Sequence, residues 1–256
     1  MASHFSALGM PLAGEEEFAA LAQRVGPLAQ GIGLMRGAYY HWSDPSGAEL
    51  WLQVNDANEF AGMAPHFSGK GRVLTRLVSR VRPQNAGDFD GGFYSWADPE
   101  ADERDAQNSD ATGLYPFVFD SPEFARLAPL DLPISVPLQI AAFAHEVEAY
   151  ESAADFEAAQ VGEGKLAAVC FIPSGLFRPD GTEEALPEAR AVIAGTVLTA
   201  ERRTNGLTGR DFFAVLVQSH GGTFDCVIDP ALLADLPPTG GVLAGSFWLS
   251  GRVIVE

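Results

Sequence analysis

Gly37-Ala38-Tyr39-Tyr40-His41-Trp42-Ser43-Asp44-Pro45 has a second copy in Gly91-Gly92-Phe93-Tyr94-Ser95-Trp96-Ala97-Asp98-Pro99, with Gly, Tyr, Trp, Asp and Pro at the same offsets. A second motif repeats in the same order: His4-Phe5-Ser6-x-x-Gly9 returns as His66-Phe67-Ser68-Gly69-Lys70-Gly71. Two ordered repeats predict an internal duplication, with copies over about 3–62 and 65–122.

Working outward, the first copy divides by periodicity. Residues 1–12 read as a strand ending at Pro11, with His4 and Ser6 on one face because strand side chains alternate. Glu15, Glu16 and Glu17 suit the positive end of a helix, and Phe18, Leu21, Ala22 and Val25 follow at helical spacing. A hairpin comes next, with strands at Tyr39–Trp42 and Ala48–Val54 about a turn at Asp44-Pro45-Ser46-Gly47. In its second strand Leu50, Leu52 and Val54 share a face for the helix, and Glu49, Trp51 and Gln53 take the other. Glu49 is the one acidic residue there, so it faces either water or a cleft, and water is the expected side.

The second copy lacks room for a helix between Val81 and Gly91. Its hairpin carries an acidic insertion from Glu100 to Thr112, an expected exposed loop, before Gly113–Asp120 takes the place of Gly47–Val54. Tyr115 then stands where Glu49 stood. Beyond it, residues 123–172 form an extension containing a long apolar run from Val136, a short helix at Ala153–Gln160 and a strand at Leu166–Ile172. Residues 173–189, rich in Pro and Gly, read as a linker. Residues 190–256 read as an all-β block with strands at Ala191–Glu201, Asp211–Gln218, Thr223–Ile228 and Val242–Val255. The expected division is a duplicated α+β domain over 1–172, the linker, and a β domain over 190–256.

On these motifs the first 122 residues resemble the vicinal-oxygen-chelate superfamily, the glyoxalase, bleomycin-resistance and extradiol-dioxygenase group. The C-terminal block resembles an OB-like barrel through its glycine-kinked first and last strands. The resemblances imply an α+β fold of tandem βαβββ-like modules forming a cupped sheet, followed by a small antiparallel β-barrel. They also imply one divalent metal ion held by His4, Glu49 and His66, with Tyr115 at the fourth place. An enzyme of that type, a lyase, isomerase or dioxygenase, would use the metal as a Lewis acid or to bind dioxygen.

The residues themselves also allow a metal-free reading, a small-molecule-binding or interaction module, and whether the chain is an enzyme stays open. Tyr40, Trp42, Tyr94, Trp96 and Tyr115 could wall a ligand cup, although paired aromatics more often form core. No phosphate-binding loop, dinucleotide fingerprint, nucleophile elbow or Cys-x-x-Cys occurs.

Charge and composition narrow the partners. Among 256 residues, 47% of them hydrophobic, 16 Lys and Arg stand against 34 Asp and Glu, for a net charge of −18. That charge repels phosphate backbones and anionic lipid, so neither nucleic acid nor membrane is an expected partner. Cys170 and Cys226 lie in apolar stretches and read as buried thiols rather than a disulfide, which fits a reducing cytoplasm. No segment approaches the ~20 apolar residues of a membrane span, and no export signal is evident.

Overall fold

Helix α1 (Glu15–Val25) forms where the acidic first turn and the apolar stripe place it, and it buries Leu21, Ala22 and Val25. Fully burying a side chain of this size contributes about 1.5–3 kcal/mol, so the stripe anchors the helix more than propensity does. The computed structural model describes residues 4–82, 87–98, 113–127, 129–162, 164–176 and 186–254.

Two sheets follow from the strands. An antiparallel four-stranded sheet runs in the order β1 (Gln30–Gly33), β2 (Ala38–Ser43), β3 (Ala48–Val54) and β4 (Phe60–Phe67). Leu50 and Leu52 of β3 share a core with Leu21, Ala22 and Val25 of α1, as the alternation requires. A mixed nine-stranded sheet takes β5 (Val73–Val81), β6 (Gly92–Ala97), β7 (Tyr115–Asp120) and β8 (Ile134–Tyr150), then β9 (Cys170–Ile172), β10 (Arg190–Thr204), β11 (Asp211–Ser219), β12 (Gly222–Ile228) and β13 (Val242–Val253). Short helices α2 (Phe124–Leu127) and α3 (Ala153–Ala159) flank β8 in sequence.

Strand β8 explains its own apolar run. Leu138, Ile140, Ala142 and Ala144 enter the larger core, while Ala141 and Phe143 enter the core shared with α1 and β3. Both faces are buried, so the usual apolar and polar alternation disappears. Strand β11 behaves alike: Phe213, Val215 and Val217 face one core, Phe212 and Ala214 the other.

The fold corrects both family expectations. The two Tyr-x-Trp segments do open hairpins in matching register, since Ser43 opposes Glu49 and Ala97 opposes Tyr115. They lie in different sheets, however, and the copies begin differently. His66 lies in β4, whereas the first copy opens on a 3₁₀ turn at Ser6–Leu8 rather than the expected strand. Gly9, at φ 72°, reverses that segment, and Asn205 Nδ2 and Thr208 Oγ1 donate to the Leu8 and Gly9 carbonyls. These side-chain donors take backbone acceptors that a strand would offer to a neighbour. No cupped pair of βαβββ modules results, so the fold is not of the vicinal-oxygen-chelate type.

The strands of residues 190–256 do not close into an OB-like barrel by themselves either, because β8, from outside that block, stands between β12 and β13 in the ring of pairings. Strands β12 and β13 have no mutual pairing; β8 lies between them, parallel to β12 and antiparallel to β13. Strands β10 and β13 continue into β9 and β7, so hydrogen bonds cross the expected boundary at residue 190. Most of the expected linker, residues 177–185, and the whole acidic insertion over 100–112 lie outside the described residues. Both cysteines are free, Cys226 buried and Cys170 half-buried.

Candidate functional site

Polar residues interrupt the apolar strands at one end of the smaller core. On β8 and β13, Gln139 opposes Arg252 and Ala141 opposes Ser250, while Asp225 of β12 opposes Ala141 from the other side. Alternation therefore puts Gln139, Asp225, Ser250 and Arg252 on one face of the nine-stranded sheet. From the four-stranded sheet come Glu49 and His66, direct cross-strand partners. Glu49, His66, Gln139, Asp225 and Ser250 are all buried.

Their hydrogen bonds form a directed chain. Asp225 accepts from the backbone N–H groups of Lys70 and Gly71, at 3.0 and 2.8 Å, and from Gln139 Nε2 at 2.7 Å. Because the Gln139 amide nitrogen serves Asp225, its oxygen faces His66 Nε2 at 2.8 Å and must accept. His66 Nε2 thus carries the proton, and Nδ1 accepts from the Ser250 hydroxyl at 2.9 Å. Burial pushes His66 down to about 4, an effect that Arg252 adds to and Glu49 opposes, so the ring is neutral at pH 7. Burial likewise raises the Asp225 carboxyl, against the hydrogen bonds it receives. A Cβ at Gly69 would lie 2.1 Å from Asp225 Cγ, so the loop between β4 and β5 can clasp this carboxylate only with glycine there.

A second chain is ionic. Burial disfavours a charge on Glu49, yet His41 and Arg252 outweigh it, with His66 adding to them where it too is protonated, and hold the carboxyl at about 2. Arg252 Nη1 donates to both Glu49 oxygens at 3.3 and 3.1 Å, and Trp51 Nε1 donates to one at 3.2 Å. His41 Nε2 stands 3.3 Å from Glu49, its ring stacked on Trp51, and the Arg252 guanidinium lies over the Trp51 ring at 4.7 Å. Arg252 Nε reaches Glu123 at 3.3 Å, and Glu123 also binds Arg126 at 2.6 Å. The water-facing position expected for Glu49 is therefore corrected: its apolar neighbours mark a strand buried on both faces.

Above these two chains opens a cleft of about 510 Å³, lined by Ser68, Gly69, Arg72, Glu123, Arg126, Leu127, Leu130, Val136, Gln139, Arg252, Val253 and Ile254. Gln139 and Arg252 are its floor, and His66 and Ser250 lie one layer beneath. Three arginines face one glutamate in this wall, the inverse of the acidic excess in the chain as a whole. The volume is that of an ordinary small-molecule site.

Neither a family model, nor a curated protein, nor a solved structure matches the chain.

Ser250 and His66 have the contact of a nucleophile and its base. Ser250 is only 1% exposed and His66 0%, and neither lines the cleft, so no reacting carbonyl meets the hydroxyl. The pair instead fixes the floor above it.

The metal-ligand set of the sequence reading does not assemble. His66 uses both ring nitrogens on Ser250 and Gln139, and both Glu49 oxygens are taken by Arg252. His4 joins a different cluster, its Nε2 at 3.0 Å from His145 Nε2 and its ring stacked on Trp248 with centroids 4.1 Å apart. Burial, then His145 and Arg190, push His4 down to about 4. Among the described residues no group of three or more His, Cys, Asp and Glu is placed to hold a metal ion.

The five aromatic candidates do not share a wall. Tyr40 and Trp42 pack in the core beside α1, and Tyr94 and Trp96 are half-buried on β6. Tyr115 stacks on Phe171 at 4.5 Å and donates to the His220 carbonyl at 2.6 Å. None of the five lines the cleft. The residues that do, Gln139 and Arg252 with Asp225 behind them, carried one signal in sequence: lone polar side chains within strands of apolar residues.

Proposed function

We propose that this chain is a small-molecule-binding module whose site is the cleft between the β4–β5 loop, α2, β8 and the end of β13. The observation that supports the reading is the cleft itself, of ligand size, with polar groups converging on its floor and an apolar wall of Leu127, Leu130, Val136, Val253 and Ile254. Two hydrogen-bonded chains, the first buried and the second partly so, hold that floor before any ligand arrives, and preorganisation of this kind lowers the cost of binding. No helix among the described residues is long and apolar enough to cross a membrane.

A thermal-shift screen of neutral, cationic and anionic compounds against the wild type and Ser68→Trp tests this. Ser68 is an exposed lining residue, so the indole fills the cleft without entering the core. Compounds at about a hundred times their Kd raise the wild-type Tm by several degrees, and the rise is lost in Ser68→Trp. Stabilisers that act equally on both proteins, or a screen without stabilisers, would refute the site.

A further inference from the structure

We infer that the cleft takes a small amphipathic anion, with a carboxylate or phosphate headgroup on its arginines and a short hydrocarbon portion on its apolar wall. The inference rests on the cleft being the ligand site, and it follows from counting donors and acceptors. Both oxygens of Glu123, the one acidic residue in the wall among the described residues, are engaged, one by Arg252 and the other by Arg126. Gln139 spends its amide nitrogen on Asp225 and its oxygen on His66. The donors are not exhausted. Arg252 uses Nε and Nη1, Arg126 uses Nη1, and Arg72 uses Nη1 on the Gly71 carbonyl at 2.6 Å. Nη2 of all three arginines has no partner among the described residues.

A wall whose acceptors are each already engaged and whose guanidinium N–H groups are partly spare fits a ligand that accepts hydrogen bonds, and a planar carboxylate or a phosphate matches a guanidinium best. A cationic ligand would meet three arginines with no free carboxylate among the described residues. The net charge of −18 does not oppose this choice, because screening over about 8 Å at physiological salt leaves the nearby arginines dominant for a small ligand. Nucleic acid, which samples a much larger surface, still meets the acidic excess.

Calorimetric titration of the full chain with octanoate, octanamide and octylammonium tests the headgroup, since the three share one hydrocarbon tail. Mono-octyl phosphate in a fourth titration separates phosphate from carboxylate. Octanoate or mono-octyl phosphate binds at least about tenfold more tightly than the neutral and cationic compounds, as expected when charge-assisted bonds are lost. Arg72→Gln, a change at an exposed side chain outside the ion-paired chain, weakens the anion several-fold, and Ser68→Trp abolishes binding. If all four compounds bind alike, or octylammonium binds best, and Ser68→Trp still abolishes binding, the anion inference fails while the site stands. If none binds, the inference fails, and the unbiased screen decides the site separately. Binding that Ser68→Trp leaves unchanged overturns both.

Discussion

Arg252→Leu destabilises the protein by about 3 kcal/mol, measured as a fall in the urea unfolding midpoint at pH 7. Its guanidinium is the cation shared by Glu49 and Glu123, whose side chains are each only 5% exposed. Removing one partner of a buried pair costs about 3–5 kcal/mol because the remaining charge stays desolvated. The lower end applies, since the Arg252 side chain is itself 26% exposed and Glu123 keeps Arg126. Glu49→Leu added to Arg252→Leu recovers part of the loss, because an apolar replacement of both partners leaves no orphaned charge. A single variant within about 0.5 kcal/mol of wild type, the range of an ordinary surface change, would show that the pair carries no such role.

The second large effect is one of pH. His66 titrates at about 4 in the folded chain against 6.5 for the free side chain, so it binds fewer protons folded than unfolded between those values. The slope of stability with pH is then positive, and the contribution of a neutral His66 is complete above 6.5 and lost as the pH falls toward 4. At about 1.4 kcal/mol per unit the loss by pH 4.5 is on the order of 2–3 kcal/mol. Asp120, raised to about 6 by burial, works in the opposite direction over much of this range, and His4, lowered to about 4, works in the same direction, so the wild-type profile alone mixes several groups. The difference between wild type and His66→Gln isolates one group. The variant is less stable at pH 7.5, and its deficit shrinks by about 2–3 kcal/mol at pH 4.5. A deficit independent of pH would give His66 the same proton affinity folded and unfolded, and a deficit that grew at low pH would place a charged His66 in the folded protein; either goes against the hydrogen-bond directions set by Asp225.

Much of the local structure was legible because hydrophobic period reports local geometry. Helix α1, the β2–β3 hairpin and the strands β10 to β13 fall within a few residues of where alternation and turn residues put them. Assembly was not legible. Repeated Tyr-x-Trp hairpins describe a local pairing, and nothing in that motif states which sheet each hairpin joins. His-Phe-Ser-x-x-Gly takes two conformations because its surroundings differ: Gly9 turns back against Asn205 and Thr208, while His66 and Phe67 end a strand. Partners far apart in sequence decide the outcome.

The site shows the same limit. Gln139, Asp225 and Ser250 each look like a tolerated polar residue in a strand, and only the pairing of β8 with both β12 and β13 puts them side by side. Their repeat positions single out Glu49 and His66, and the fold does join them as cross-strand neighbours. It joins them to hydrogen-bond donors and an arginine rather than to His4, because the N-terminal segment is a turn and not the edge strand a shared metal would need.

The most direct measurement is a titration of the ¹⁵N-labelled protein with octanoate, following arginine side-chain Nε–H signals assigned by Arg→Lys variants. The account predicts saturable shifts at Arg72, Arg126 and Arg252, the three that line the cleft, and none at Arg24, Arg190 or Arg210, which do not. Unmoved signals at the first three, or shifts centred on the second three, would contradict it.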